Sequence, residues 1–180
     1  CVFANTVRRE SNTDTGSGGA IYVESYVNDA NGNPHYVWMD ELRLSNCTFD
    51  GCYAAESGGA IGIYGIVKDI NIASCQFNGT YAKKNFGGAI AMAGHGSTMT
   101  VTNTTFSNCS APTAGGAIYL VSRVILAANG TYSRLNEVTF SGCTFKNDND
   151  TSISNSLTIN SALGGAMSLD TSINVLNITG

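Results

Sequence analysis

The sequence predicts an all-β solenoid, a parallel β-helix of about five coils, and three observations carry that prediction. A phenylalanine recurs at Phe3, Phe49, Phe77, Phe106 and Phe145, and a glycine pair follows each one, at Gly18-Gly19, Gly58-Gly59, Gly87-Gly88, Gly115-Gly116 and Gly164-Gly165. Between these landmarks the apolar residues alternate with a period of two, the signature of a strand with one buried face. Self-similarity at a fixed interval marks stacked units that bury their cores against one another. Residues 1–180 read as one domain of this kind.

The basic unit is clearest in the middle of the chain, where Phe49 to Phe77 is 28 residues and Phe77 to Phe106 is 29. Longer intervals are the same unit with insertions near Arg8–Thr15, Glu24–His35, Ser122–Ser133 and Lys146–Ala162. These belong on loops, because a detour inside a ladder would leave buried backbone groups unpaired. Three inward pairs recur per unit. The first follows the glycines: Ile21/Val23, Ile61/Ile63, Ile90/Met92, Ile118/Leu120 and Met167/Leu169. The second precedes the Phe: Leu42/Leu44, Ile70/Ile72, Met99/Val101 and Val138/Phe140. The third is the Phe with the residue two before it: Cys1/Phe3, Cys47/Phe49, Cys75/Phe77, Thr104/Phe106 and Cys143/Phe145. The parity changes between the second and third pairs, so the chain must bend there. The glycine pair suits another bend, where a positive φ or a close backbone passage excludes a Cβ. Stacking at roughly 4.8 Å per coil then gives a Phe ladder, an aliphatic ladder and a small Ala ladder. No window sustains the three-and-four spacing of an amphipathic helix.

Charged residues make up 12% of the chain, with a formal net charge of −4 and pI near 4.9. That balance argues against nucleic acid, whose phosphates ask for a basic face. The longest apolar run, Ala60 to Val67, is far short of the ~20 residues of a membrane-spanning helix. A start at Cys1 without an initiator Met reads as a processed chain or a piece of a longer secreted one.

The sequons point outside the cytosol, and the cysteines imply either an oxidising compartment or a silent core. Six cysteines without Cys-x-x-Cys spacing and two histidines make a poor zinc set. Cys52 and Cys109 lie three after a Phe, whereas Cys75 and Cys143 lie two before the next, which suggests equivalent disulfides Cys52–Cys75 and Cys109–Cys143. Cys1 and Cys47 remain, in adjacent coils of one ladder; the alternative is a set of buried thiols acting as small hydrophobes. Asn-x-Ser/Thr sequons stand at Asn46, Asn78, Asn103, Asn108, Asn129, Asn149 and Asn177. N-linked glycans on exposed members are expected, against the plainer reading of Ser/Thr-rich strands.

The segment Phe-Ser-Asn-Cys-Ser-Ala-Pro-Thr-Ala-Gly-Gly-Ala-Ile-Tyr at 106–119 resembles the repeat of the chlamydial polymorphic outer-membrane protein (Pmp) family, whose hallmark is F-x-x-N followed by GGAI. Similar repeats occur in surface proteins of protists and algae. The resemblance covers essentially the whole chain, with GGAI intact in four units and Gly164-Gly165-Ala166-Met167 in the fifth. Three after each Phe stand Thr6, Cys52, Thr80, Cys109 and Asp148, never Asn, although Ala54, Ala82 and Ala111 match the small residue that follows in the family. The resemblance implies a right-handed single-stranded β-helix displayed outside a cell, for adhesion or as a surface structural element.

A polysaccharide-cleaving enzyme is the rival, since pectinases share the architecture. Asn12-Thr13-Asp14 and Gly94-His95-Gly96 resemble two polygalacturonase signatures. Such enzymes need converging carboxylates, yet no Asp-Asp pair exists, and no Arg-x-Lys follows the histidine. The coil frame sets Asp14 and His95 at different corners. Asp148 and Asp150 could hold Ca²⁺ weakly, although a solvated loop is the plainer reading. Trp38 with Tyr36 and His35 reads as a lid over the first coils or a contact site. Tyr22, Tyr26, Tyr53, Tyr64 and Tyr119 read as an outer aromatic surface, and Lys83-Lys84 is too small for an anion site. No catalytic residue, cofactor or metal is expected. The leading expectation is an extracellular structural glycoprotein that continues into further repeats or stacks head to tail as a fibre or surface coat. An adhesin or binding module is second, and a polysaccharide hydrolase or lyase third.

Overall fold

The computed structural model describes residues 1–9, 16–24, 26–28, 31, 34–36, 38–94, 96–121, 134–146, 148–150, 165–170 and 172–180. Among them the protein is all-β, and parallel pairing gathers the strands into four five-stranded sheets. Each sheet takes one strand from each repeat, in chain order, so every repeat is a rung bonded to the rungs before and after it.

The Phe sheet consists of Val2–Ala4, Thr48–Asp50, Gln76–Asn78, Thr105–Ser107 and Thr144–Lys146. Its register sets Phe3 on Phe49, Phe49 on Phe77, Phe77 on Phe106 and Phe106 on Phe145. Ring centroids are 4.9, 4.6, 4.8 and 4.9 Å apart, and no ring pair is tilted by more than 6°. The inner three rings are wholly buried. The rings overlap because their Cα atoms are held one ladder spacing apart, and each pair adds about 0.5–1.5 kcal/mol beyond its burial.

The sheet after the glycines is built from Ile21–Glu24, Ile61–Tyr64, Ile90–Ala93, Ile118–Val121 and Met167–Asp170. Its inward columns are Ile21, Ile61, Ile90, Ile118, Met167 and Val23, Ile63, Met92, Leu120, Leu169. The long-strand sheet, Trp38–Ser45, Ile66–Ala73, Thr98–Thr102, Arg134–Ser141 and Ser172–Thr179, brings Leu42, Ile70, Met99, Val138 and Leu176 into one column. Leu44, Ile72, Val101, Phe140 and Ile178 form the next. Both aliphatic ladders match the expected pairs residue for residue.

A fourth strand per rung was not among the three expected. It is only two residues long: Val7–Arg8, Tyr53–Ala54, Tyr81–Ala82, Ser110–Ala111 and Asn149–Asp150. Two residues give no periodicity to detect, and its inward side chains Ala54, Ala82 and Ala111 are the small ladder already noted. The insertion after Glu24 forms an antiparallel hairpin of Tyr26–Asn28 with Pro34–Tyr36. The insertion at Ser122–Ser133 and most of that at Lys146–Ala162 lie outside the described residues.

Three left-handed corners separate the sheets. The bend inferred from the parity change is made by Asn46, Ser74, Asn103 and Gly142, with φ from 47 to 60°. A second corner, two after the Phe, uses Asn5, Gly51, Gly79 and Asn108. Asn and Gly adopt this conformation at least cost. The third is the first glycine of the pair at Gly18, Gly58, Gly87 and Gly115, with φ from 61 to 71°. The second glycine answers to crowding: a Cβ on Gly88 would lie 2.1 Å from the Gly116 carbonyl oxygen.

Two predictions test this packing. Phe77→Ala removes the central ring and is expected to cost about 3–5 kcal/mol, read as a lowered urea midpoint, whereas Phe77→Leu recovers part of the loss. Gly88→Ala is expected to lower stability despite adding apolar volume, because the Cβ meets backbone on the next rung.

Candidate functional site

Inside the stack, two columns flank the Phe ladder. Backbone bonds from Thr48 N–H to Cys1 O, Gln76 N–H to Cys47 O, Thr105 N–H to Cys75 O and Thr144 N–H to Thr104 O place Cys1, Cys47, Cys75, Thr104 and Cys143 on successive rungs. The corresponding bonds from Tyr53, Tyr81 and Ser110 to Thr6, Cys52 and Thr80 define the other column, Thr6, Cys52, Thr80 and Cys109. Asp148 extends it, since its Oδ1 accepts the Cys109 N–H at 2.8 Å. All six cysteines are thiols in the structure. The expected Cys52–Cys75 and Cys109–Cys143 pairings therefore need correction: each would join the two columns across the Phe strand. The rung neighbours of Cys52 are Thr6 and Thr80, and those of Cys75 are Cys47 and Thr104. Closeness in the repeat frame misled here because the Phe strand and a left-handed corner, Gly51 or Gly79, lie between the positions before and after the Phe. Burial pushes the Cys109 thiol up to about 12, so it is inert as a nucleophile at neutral pH.

Asp148 likewise does not lie in the solvated loop that was the plainer reading of this segment. It is half-buried against Cys109, and Asn149–Asp150 forms a strand paired to Ser110–Ala111. Its Oδ2 has no partner, and desolvation raises its carboxyl above the usual range. No group of three or more metal-ligating side chains occurs among the described residues.

The outer surface carries the remaining candidates. Asn46, Asn78, Asn103 and Asn108 are exposed. Asn78 donates to Asp50 at 2.7 Å and accepts from Ser107 at 3.2 Å, one link of a polar ladder on the outer face of the Phe sheet. Asn177 is half-buried and donates to Glu137 at 3.0 Å and Thr139 at 3.3 Å. Asn129, the Asn12-Thr13-Asp14 fragment and His95 lie outside the described residues, as do the side chains of Asn149, Tyr26, His35, Tyr36 and Trp38. Lys84 does not stand as an isolated cation, being 3.2 Å from Glu56.

Of the outer tyrosines, Tyr53 packs near Tyr81, at 5.7 Å on the two-residue strands. Tyr22, Tyr64 and Tyr119 share the outer face of the sheet after the glycines. Here one outward column reads Tyr22, Gly62, Ala91, Tyr119, Ser168 and the other Glu24, Tyr64, Ala93, Val121, Asp170. Small residues on the middle rungs leave a depression of about 230 Å³. Tyr64 walls one side, and Tyr22 packs near it with centroids 5.8 Å apart. Burial, and next the neighbouring Glu24, push the Tyr22 phenol up to about 12. The opposite wall is Phe86 stacked on Tyr119, at 4.2 Å and 13°.

The corner preceding the glycines closes the remaining side of the cleft. Ser17 and Ser57 are buried there; Ser17 Oγ donates to the Tyr64 hydroxyl at 3.4 Å, and Ser57 Oγ accepts the Phe86 N–H at 3.3 Å. Glu56 accepts from Asn85 and Lys84. Sequence reasoning named the tyrosines but missed Phe86, Glu56, Asn85 and the two serines. Phe86 had a signal: the equivalent corner positions are Ser17, Ser57 and Ala114, so a large ring there breaks the repeat.

No family model matches the chain, and no curated protein or solved structure matches it either. The Pmp resemblance therefore rests on the repeat motif alone.

Asp148 yields a pH prediction. Its folded pKa is raised, so the stability it contributes is present below the unfolded value of about 3.9 and is lost as pH rises through the folded value. Asp148→Asn keeps the acceptor for Cys109 without the charge. The variant is expected to melt higher than the parent at pH 7, with the gap closing by about pH 4.

Proposed function

We propose that the four parallel sheets wrap around one another as a right-handed single-stranded β-helix and that the protein is an extracellular structural glycoprotein, a fibre- or coat-forming subunit. One observation carries the reading. Among the described residues the strand Ser172–Thr179 pairs on one side, with Arg134–Ser141, and its Leu176 and Ile178 are 45 and 61% exposed at the end of columns whose middle members, Ile70, Met99, Val138 and Ile72, Val101, Phe140, are buried. Edges that must stay single carry Lys, Pro or a bulge. This eight-residue edge, Ser-Ile-Asn-Val-Leu-Asn-Ile-Thr, has no charge and no proline. Phe145, half-buried, has one stacking partner from the ladder, Phe106. What the frame calls for next is another Phe strand, supplied by a following repeat or by Phe3 of a second copy. Head-to-tail contacts of that kind do not close and so propagate into filaments.

The interior supports a scaffold role. Its columns are mainly apolar, with threonines, thiols and Asp148 beside the Phe ladder, and the polar ladders outside consist of amides, hydroxyls and paired carboxylates. Exposed sequons on two corners and on the Phe sheet face suit a glycan coat.

Assembly is tested by sedimentation and negative-stain microscopy across a concentration series. End-to-end particles growing in steps of about 24 Å, five rungs at about 4.8 Å, are expected, and Leu176→Lys with Ile178→Lys should abolish them. Strict monomers at high concentration would refute end-to-end assembly. In a glycosylating secretory host, enzyme-removable glycans are expected among Asn46, Asn78, Asn103 and Asn108. Asn177 should stay bare, since a glycan would replace one of the two amide hydrogens it donates. An unmodified secreted chain would count against the glycoprotein reading.

A further inference from the structure

We infer that the cleft between Tyr64 and the Phe86–Tyr119 pair is a binding site for a neutral saccharide, one pyranose ring at a time. The inference is independent of end-to-end assembly, because the cleft lies on the side of the stack.

Shape comes first. Tyr64 is on the second rung and Tyr119 on the fourth, with Ala91 and Ala93 between them as the floor. Two rungs span about 9.6 Å along the stack. Phe86, on the third rung, lies within that span with its ring 4.2 Å from Tyr119, so a ligand ring would rest over Ala91 and Ala93 beside Tyr64, against the face of Phe86 turned away from Tyr119. The gap exists because the outward column falls from Tyr22 to Gly62 and Ala91 before returning to Tyr119. Tyrosine on every rung would have closed it. Phe86, the one aromatic at its corner position, leans on Tyr119 and deepens that wall.

Polar chemistry then selects among flat ligands. The corner end offers the Glu56 carboxylate, the Asn85 amide, and the hydroxyls of Ser17, Ser57 and Tyr64. Donors and acceptors are interleaved there, which suits vicinal hydroxyls, since each hydroxyl both donates and accepts. A purely aromatic ligand would desolvate those groups without using the donor and acceptor capacity that their mutual bonds leave over. An anion would face Glu56. A cation finds that carboxylate already engaged by Lys84 and Asn85. A neutral polyhydroxylated ring with an apolar face meets both the walls and the corner, in the pattern of a mostly apolar pocket with a few convergent polar groups.

The test uses the full chain with methyl glycosides of glucose, galactose, mannose and N-acetylglucosamine, and with indole as the aromatic control, by saturation-transfer NMR and titration calorimetry. Transfer to the ring protons of at least one glycoside is expected. Ala91→Leu, which fills the floor, should abolish it, and Tyr119→Ala should weaken it tenfold or more. Tyr53→Ala, on a different outer face, should leave it unchanged, and circular dichroism checks that each variant keeps its strands. The inference is overturned by absence of transfer to all four glycosides, by transfer to indole alone, or by transfer that survives both Ala91→Leu and Tyr119→Ala.

Discussion

In-register parallel pairing of like residues is the constraint on which everything else in this molecule rests. Once Phe49 is held above Phe77 and Ile61 above Ile90, a residue's environment is set less by its sequence neighbours than by its counterparts roughly 28 or 29 residues away. A slip of one residue would turn every inward side chain of a strand outward. The left-handed corners at Asn46, Ser74, Asn103 and Gly142 and the glycine pairs prevent that slip, because each tolerates only a narrow range of residues at one position per rung.

The same constraint organises the outside. Repetition of polar residues produces ladders such as Asp50–Asn78–Ser107, where each side chain satisfies the next. Interruption of a column produces a feature that repetition cannot. Gly62 and Ala91 interrupt a line of tyrosines, and Phe86 stands where Ser17, Ser57 and Ala114 are small; a walled depression on that sheet lies where the two interruptions meet. Function on a repetitive scaffold is then to be sought at exceptions to the repeat.

This explains what could be read in advance. The Phe, Ile and Leu columns were legible because their period is regular and their chemistry uniform. The two-residue strand of Tyr53–Ala54 and its equivalents was not, since two residues carry no alternation. The cysteines misled for a geometric reason: Cys52 and Cys75 fall close in the repeat frame, yet the Phe strand and the corner at Gly51 or Gly79 set them on separate columns. Asp148 looked like part of an acidic loop because sequence does not show that the corner at that position faces inward. The cleft was half legible, through its tyrosines, while its floor is defined by side chains too small to attract notice.

The third rung has one residue more between Ala82 and Gly87 than its neighbours have between Ala54 and Gly58 or between Ala111 and Gly115. Pairing is nonetheless intact on both sides of it, with Ala82 opposite Ala54 and the Gly87 carbonyl accepting from Gly59. The corner absorbs the surplus and passes none of it on. Descent can therefore lengthen or shorten this protein at its corners freely while editing its columns hardly at all. Difference in length between copies of the repeat is then expected at the corners, and the extra residue beside Phe86, at the edge of the cleft, is an instance of it.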